Sequence, residues 1–215
     1  MSLFLGKIHY WLFNKIRLTE ELEQQLLQMA ESKGIPTEAM KAAALKAFDA
    51  PLPEAPLEEL INHQHIHGWL QHCITQAASR QAFYITQLLE QTPHLKEDLL
   101  HLGAAQAKRA AAQHSSVPVH PEAMFHAIHD YLLEGMPCDR TQQITENENT
   151  HFAWQYTPCL HRATWEAVKG DVNHFYDLRK SWIEAFIQQL QPSWRYTLSA
   201  EGTHRIQIEG GLPTP

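Results

Sequence analysis

Residues 62–73 read Asn62-His63-Gln64-His65-Ile66-His67-Gly68-Trp69-Leu70-Gln71-His72-Cys73. The stretch lies inside the longest predicted helix of the chain, which the apolar spacing places from about Leu57 to Gln91. It contains four histidines and one cysteine, side chains that first-row transition metals favour as ligands. Histidine is frequent throughout the sequence, with 15 among 215 residues. We therefore expect this helix to organise the fold and to contribute to any binding site.

A helical projection at about 100° per residue divides the four histidines into two pairs. One third of the circumference contains Leu60, His63, Ile66, His67, Leu70, Ile74 and Ala77. His63 and His67 are thus predicted to face inward one turn apart, where they could share a metal ion. The alternative is a pair of histidines bonded to backbone carbonyls and water. His65 and His72 are predicted to lie on the surface.

A metal site would need a third ligand from elsewhere in the chain. His129 is the first candidate, because it shares an apolar stripe with Phe125, Ile128 and Leu132 on a predicted helix over 122–134. The cofactor would be a divalent transition metal such as zinc, nickel or iron. Further donors could come from Cys138, Asp139, Cys159 and His161.

The chain divides by composition into a helical region, 1–134, and a mixed region, 135–215. In the first region, further helices are predicted over 19–32 (with Thr19 as N-cap), 37–48, 94–113 and 122–134. In the second, strands are predicted near 140–146, 150–157, 194–198 and 204–208, with helices over 162–168 and from Asp171 to before Pro192. The predicted fold class is α+β and predominantly helical: an N-terminal helical bundle with a small C-terminal antiparallel sheet and helix. One compact domain and two separate ones both agree with this pattern.

Composition limits the function classes. The net charge of −7 counts against nucleic-acid binding, which needs a basic surface. The apolar N-terminal stretch ends at Asn14, Lys15 and Arg17, too soon to cross a bilayer, so no membrane span is expected. A first helix that is buried, or that docks onto a second copy as a homodimer, is predicted instead. The three cysteines form no disulfide framework, which favours reduced thiols and a cytoplasmic location.

A ligand pocket is one interpretation of the aromatic C-terminal region. Arg179 shares a helix face with Phe175, Leu178 and Trp182, so its guanidinium is predicted to be buried. It could anchor an anionic group of a small-molecule ligand, with Trp154 and Trp182 beside it. The alternatives are an internal salt bridge with Asp139 or Glu166, or a side chain extending to the surface.

The same region resembles a known family. The shared features are the run from Trp154 to Cys159 and His161, then Trp165, Gly170-Asp171, Phe175-Tyr176 and a closing strand after Gly202. These are similar to the C-terminal half of the L-2-amino-thiazoline-4-carboxylate hydrolase-like family, over about residues 135–210. Thr203 stands where that family has an aspartate, and His204 falls near the position of its last cysteine. The resemblance implies a hydrolase of small C–N or C–S compounds, with Cys159 as nucleophile and His161 or His204 as its base.

Three functional hypotheses follow from the sequence. The first is a metal- or small-ligand-binding protein that uses His63 and His67 with His129 or a nearby cysteine. The second is the metal-free hydrolase of amino-acid-like compounds that the resemblance implies. The third is a non-catalytic interaction module whose apolar first helix docks onto a partner.

Overall fold

The order of helices and strands follows the predicted α+β pattern. A computed structural model describes residues 5–209. Its helices are α1 (Lys7–Ser32), α2 (Glu38–Ala47), α3 (Leu57–Leu60), α4 (Ile66–Gln91), α5 (Lys96–Gln113), α6 (Pro121–His129), α7 (His161–Ala167) and α8 (Asn173–Leu190). Two 3₁₀ turns cover Pro93–Leu95 and Pro137–Asp139. The strands are β1 (Gln142–Asn147), β2 (His151–Tyr156), β3 (Trp194–Leu198) and β4 (His204–Ile208). The predominantly helical α+β class is thereby confirmed. Within residues 5–209, no helix combines the length and the apolar character needed to span a bilayer.

The four strands form one antiparallel sheet in the order β1-β2-β4-β3. Side chains alternate between the two faces along each strand. On one face, Phe152 and Trp154 of β2 and Ile206 of β4 are fully buried. In β1 the register shifts between Ile144 and Glu146, and most of this edge strand is exposed. The buried sheet face therefore belongs to the three other strands.

The predicted continuous helix over 57–91 is wrong at the histidine stretch. Helix α3 ends at Leu60, Ile61 is extended, and α4 begins only at Ile66. Asn62 makes a turn between them: its side-chain oxygen accepts the backbone N–H of Gln64, and its carbonyl accepts that of His65. Asparagine side chains compete with helical hydrogen bonds in this way.

Two other predicted helix ends differ from the structure. Helix α1 runs unbroken through Thr19, whose hydroxyl donates to the Lys15 carbonyl 3.0 Å away. Thr19 is therefore not an N-cap, and the residue three positions on is Leu22, which cannot complete a capping box. The helix predicted over 122–134 ends at His129.

The chain forms two compact units that do not follow the predicted division at residue 134. Unit 1 contains the described residues through Lys96, together with Leu133–Asp139 and Leu160–His174. Unit 2 contains Glu97–Leu132, Arg140–Cys159 and the residues from Phe175 onward. Each unit thus combines segments from the helical and the mixed region.

Unit 1 is built around the packing of α1 against α4. Its apolar cluster includes Leu12 and Ile16 of α1 and Leu70 and Ile74 of α4. The described part of the first helix therefore packs in the core of unit 1. A buried first helix was one of the two predicted alternatives, the other being a helix that docks onto a second copy. Residues 1–4 of the apolar N-terminal stretch lie outside the described range.

A buried charge cluster joins the same two helices. Arg80 of α4 is 1% exposed and donates to both carboxylate oxygens of Glu23, to Glu20 and to the Asp49 carbonyl. Glu20 also accepts the backbone N–H of Leu52. Burial raises the pKa of Glu23 to about 7, and Arg80 opposes that rise. Glu23 therefore depends on the Arg80 guanidinium, whereas Glu20 also lies 3.7 Å from the guanidinium of Arg17.

Candidate functional site

The buried sheet face of unit 2 contains several hydrogen-bonding side chains among its apolar ones. Trp154 of β2 pairs with His204 of β4, so their side chains lie next to each other on one face. Their rings stack with centroids 5.0 Å apart, and the Tyr156 ring meets His204 edge to face. Tyr196 of β3 lies on the same face. We call Tyr156, Arg179, Tyr196 and His204 the polar cluster.

His129 of α6 orients the hydroxyl of Tyr156. Its Nδ1 is 2.7 Å from the Phe125 carbonyl oxygen, which can only accept, so Nδ1 bears the proton. Its Nε2 shares a hydrogen bond with the Tyr156 hydroxyl, 2.8 Å away. His129 is buried, as its apolar stripe predicts. Both of its ring nitrogens are engaged in unit 2, so the arrangement does not favour its predicted role as a metal ligand.

His204 is held as a neutral imidazole. Its Nδ1 and the Tyr196 hydroxyl share a hydrogen bond of 2.6 Å. Burial and, to a smaller extent, the charge of Arg179 lower the pKa of His204 to about 3. A ring that is neutral at pH 7 can position a hydroxyl or a ligand. It is a weak general base, since a good one has a pKa near the working pH.

Arg179 supplies the positive charge of the polar cluster. It is 7% exposed, which confirms the predicted burial. Its guanidinium carbon lies 4.4 Å from the ring centroid of Phe175 and 5.5 Å from that of Tyr156. Burial lowers the pKa of Arg179 to about 9, so it stays protonated at neutral pH. Asp139, one of the partners predicted for it, accepts the backbone N–H of Met136 within unit 1.

The indole N–H of Trp154 makes no standard hydrogen bond with the described residues. The side chain is fully buried, and its indole N–H has no acceptor in hydrogen-bonding geometry within the described chain. Burial raises the pKa of Tyr156, and this N–H has a smaller opposing effect. This donor therefore acts on the Tyr156 hydroxyl without reaching standard hydrogen-bond geometry.

Trp182, the other predicted ligand-binding tryptophan, lies in the apolar core of unit 2. Its ring stacks on Phe186 at 5.1 Å between centroids, and its indole N–H donates to Gln106, 3.3 Å away. These contacts assign it a packing role.

Cys159, the predicted nucleophile, is half-buried and hydrogen-bonded to tyrosine. Its Sγ lies 2.7 Å from the Tyr176 hydroxyl, and among the described residues no histidine bonds to it. The two predicted bases have other partners. His204 bonds to Tyr196, and His161 of unit 1 lies 3.2 Å from the carboxylate of Glu134. Burial lowers the pKa of His161 to about 4.

His63 and His67, the predicted metal-binding pair, do not lie on one face of a continuous helix. His63 lies in the turn before α4, is exposed, and donates from Nε2 to the Glu58 carbonyl, 3.0 Å away. His67 is exposed in the first turn of α4 and lines a pocket of about 220 Å³ with His9 and Cys138. Across residues 5–209, no three His, Cys, Asp or Glu side chains are arranged to hold a metal ion.

Comparison with known proteins does not assign the chain to a family. No protein-family model, no curated protein and no solved structure matches the chain. The resemblance to the amino-thiazoline-carboxylate hydrolase-like family therefore stays a prediction.

Three tyrosines of unit 2 were absent from the predicted site. Tyr156, Tyr176 and Tyr196 bond to His129, Cys159 and His204 respectively. Strand alternation could have placed Tyr156 beside Trp154, because residues two apart point to the same face. The histidine and cysteine partners of these tyrosines could not be found in this way, since those contacts join separate elements.

The neutral state of His204 predicts a specific loss of stability in acid. The folded protein resists protonation of His204 down to about pH 3, whereas the unfolded chain takes up the proton near pH 6.5. The free energy of unfolding should thus fall as pH is lowered from 6.5, by at most about 1.4 kcal/mol per pH unit from this group. Urea unfolding of His204→Gln should show a shallower decline between pH 6.5 and 4.5. The exposed His101→Gln serves as control, and parallel curves for wild type and His204→Gln would refute the assignment.

Proposed function

We propose that the protein binds a small carboxylate-bearing molecule through the polar cluster of unit 2, with Arg179 as its anchor. The main observation is a buried, protonated guanidinium beside neutral aromatic and imidazole side chains. A guanidinium offers a planar fork of donors that matches a carboxylate. This proposal develops the small-ligand form of the first hypothesis.

Electrostatics support an anionic ligand over a neutral one. Arg179 lowers the pKa of His204 and opposes the burial that raises the pKa of Tyr196, so its positive charge is felt at both groups. His204 is uncharged at neutral pH, and the Glu184 carboxylate acts on Tyr196 in the opposite direction to Arg179. In a low-dielectric interior the potential of Arg179 acts more strongly than in water.

Hydrogen bonding supports a ligand with polar and planar parts. The Trp154 indole N–H is a buried donor without a standard acceptor within residues 5–209. The rings of Tyr156 and Phe175 give flat apolar surface next to the guanidinium. Sites with apolar walls and a few fixed polar groups are typical of small-molecule binding.

A matched pair of probes tests the proposal. Isothermal titration of the full chain at pH 7 should show binding of benzoate and binding of benzamide weaker by at least about tenfold, because only benzoate has a charge for Arg179. Equal affinity for the two probes, or no binding of benzoate, would contradict an anionic ligand.

Hydrolysis of a carboxylate-bearing C–N or C–S compound is the second candidate. It is supported by the position of Cys159 in the same unit as Arg179 and by the family resemblance. The observation against it is that Cys159 bonds to the Tyr176 hydroxyl and to no histidine among the described residues. A nucleophilic cysteine normally needs an adjacent base or cation.

Alkylation kinetics distinguish the two candidates. If Cys159 is only hydrogen-bonded to Tyr176, iodoacetamide should modify it more slowly than the exposed Cys138, and Tyr176→Phe should raise its rate by a few-fold. The rates are read from peptide mass spectra of the folded protein. Modification of Cys159 at least about tenfold faster than Cys138 would instead favour the hydrolase.

A further inference from the structure

A second cleft in unit 2 contains side chains that neither the predicted metal site nor the polar cluster uses. Its volume is about 390 Å³. It is lined by His120, Glu122, Ala123, His126, Asn147, Glu148 and Asn149. All of these residues except Ala123 have a side-chain nitrogen or oxygen atom that can coordinate a metal. Two imidazoles and two carboxylates therefore face one space.

The backbone around this cleft is well fixed. Glu122 and His126 are four residues apart on α6, so both lie on the same side of that helix. Pro121, Met124 and Ile128 of α6 are buried. Across the cleft, the backbone N–H of Glu148 donates to the His151 carbonyl, 2.9 Å away, which closes the turn between β1 and β2.

The lining side chains are free to turn, because His120, Glu122, His126 and Glu148 are all exposed. In the structure, no three of these histidine and glutamate side chains converge on one point. Exposed side chains exchange among staggered rotamers at little energetic cost. Convergence on an ion would come from rotation of these side chains.

We propose that this cleft is a binding site for Zn²⁺, with His126 and Glu122 as the central ligands and His120 and Glu148 completing the set. Zinc is bound in proteins by imidazole nitrogen and carboxylate oxygen, commonly by four ligands. The two histidines favour a borderline metal over Ca²⁺ or Mg²⁺, which prefer all-oxygen sites. The exposed position gives the ion direct access from solvent.

Zinc titration of the full-length, untagged and chelator-treated protein tests this site. Calorimetry should show one Zn²⁺ per chain, and His126→Ala and Glu122→Gln should each weaken the binding by more than about tenfold. The matched controls are His101→Ala and Glu97→Gln, two exposed positions on α5 that should leave the affinity within about twofold. Far-UV circular dichroism verifies that each variant is folded.

A rescue variant separates ligation from an indirect effect. His126→Cys replaces one zinc ligand by another and should retain more affinity than His126→Ala. The proposal is overturned if the wild type takes up no Zn²⁺, if His126→Ala and Glu122→Gln bind as the wild type does, or if His101→Ala weakens binding as much as His126→Ala.

Discussion

Replacing Arg80 by methionine is expected to lower the free energy of unfolding by about 3–5 kcal/mol. Arg80 is 1% exposed and is the shared partner of Glu20 and Glu23, which are also buried. Methionine fills much of the same volume but leaves Glu23 without a guanidinium and Glu20 with Arg17 alone, 3.7 Å away. Glu23, whose pKa burial already raises to about 7, would then take up a proton at neutral pH. Urea unfolding at pH 7, followed by circular dichroism, measures the loss.

Two variants control this result. The exposed Arg162→Met in α7 should change the free energy of unfolding by no more than about 0.5 kcal/mol. Adding Glu23→Gln to Arg80→Met should recover part of the loss, because a neutral amide avoids the cost of protonating the buried carboxylate at pH 7. A loss below about 1 kcal/mol for Arg80→Met would show that the charge cluster contributes little to the stability of unit 1.

Local patterns in the sequence were sufficient for most elements of the fold. The hairpin around Gly202 and the helix ends near prolines follow from turn chemistry, and β3 and β4 lie where alternation predicts. The inward positions of His129 and Arg179 follow from helical stripes. These features depend on neighbours within a few residues, which a single sequence displays.

The histidine stretch shows where such reasoning fails. A helical projection presumes a continuous helix, and the turn at Asn62 moves His63 off the face assigned to it. The contacts of the polar cluster could not be predicted from the sequence for a second reason. His129 and Tyr156 are 27 residues apart, and their hydrogen bond depends on how α6 lies on the sheet. Helix stripes and strand alternation do not specify such a distance.

Replacing Arg179 by glutamine is expected to weaken the binding of a carboxylate ligand by about 2–5 kcal/mol, or roughly 30-fold to several thousand-fold. Glutamine is shorter and uncharged, so the buried site loses its positive potential and its forked donor. Arg179→Lys keeps the charge without the planar fork and should give an intermediate affinity. Because the guanidinium is buried, circular dichroism and thermal unfolding must first verify that both variants fold.

The most direct measurement is therefore the calorimetric affinity of benzoate for the wild type, Arg179→Lys and Arg179→Gln, at one pH and one salt concentration. Binding through Arg179 predicts the order wild type, then lysine, then glutamine, with at least about 30-fold between the first and the last. The same benzoate affinity in wild type and a folded Arg179→Gln variant would contradict the assignment of Arg179 as the anchor of the ligand site.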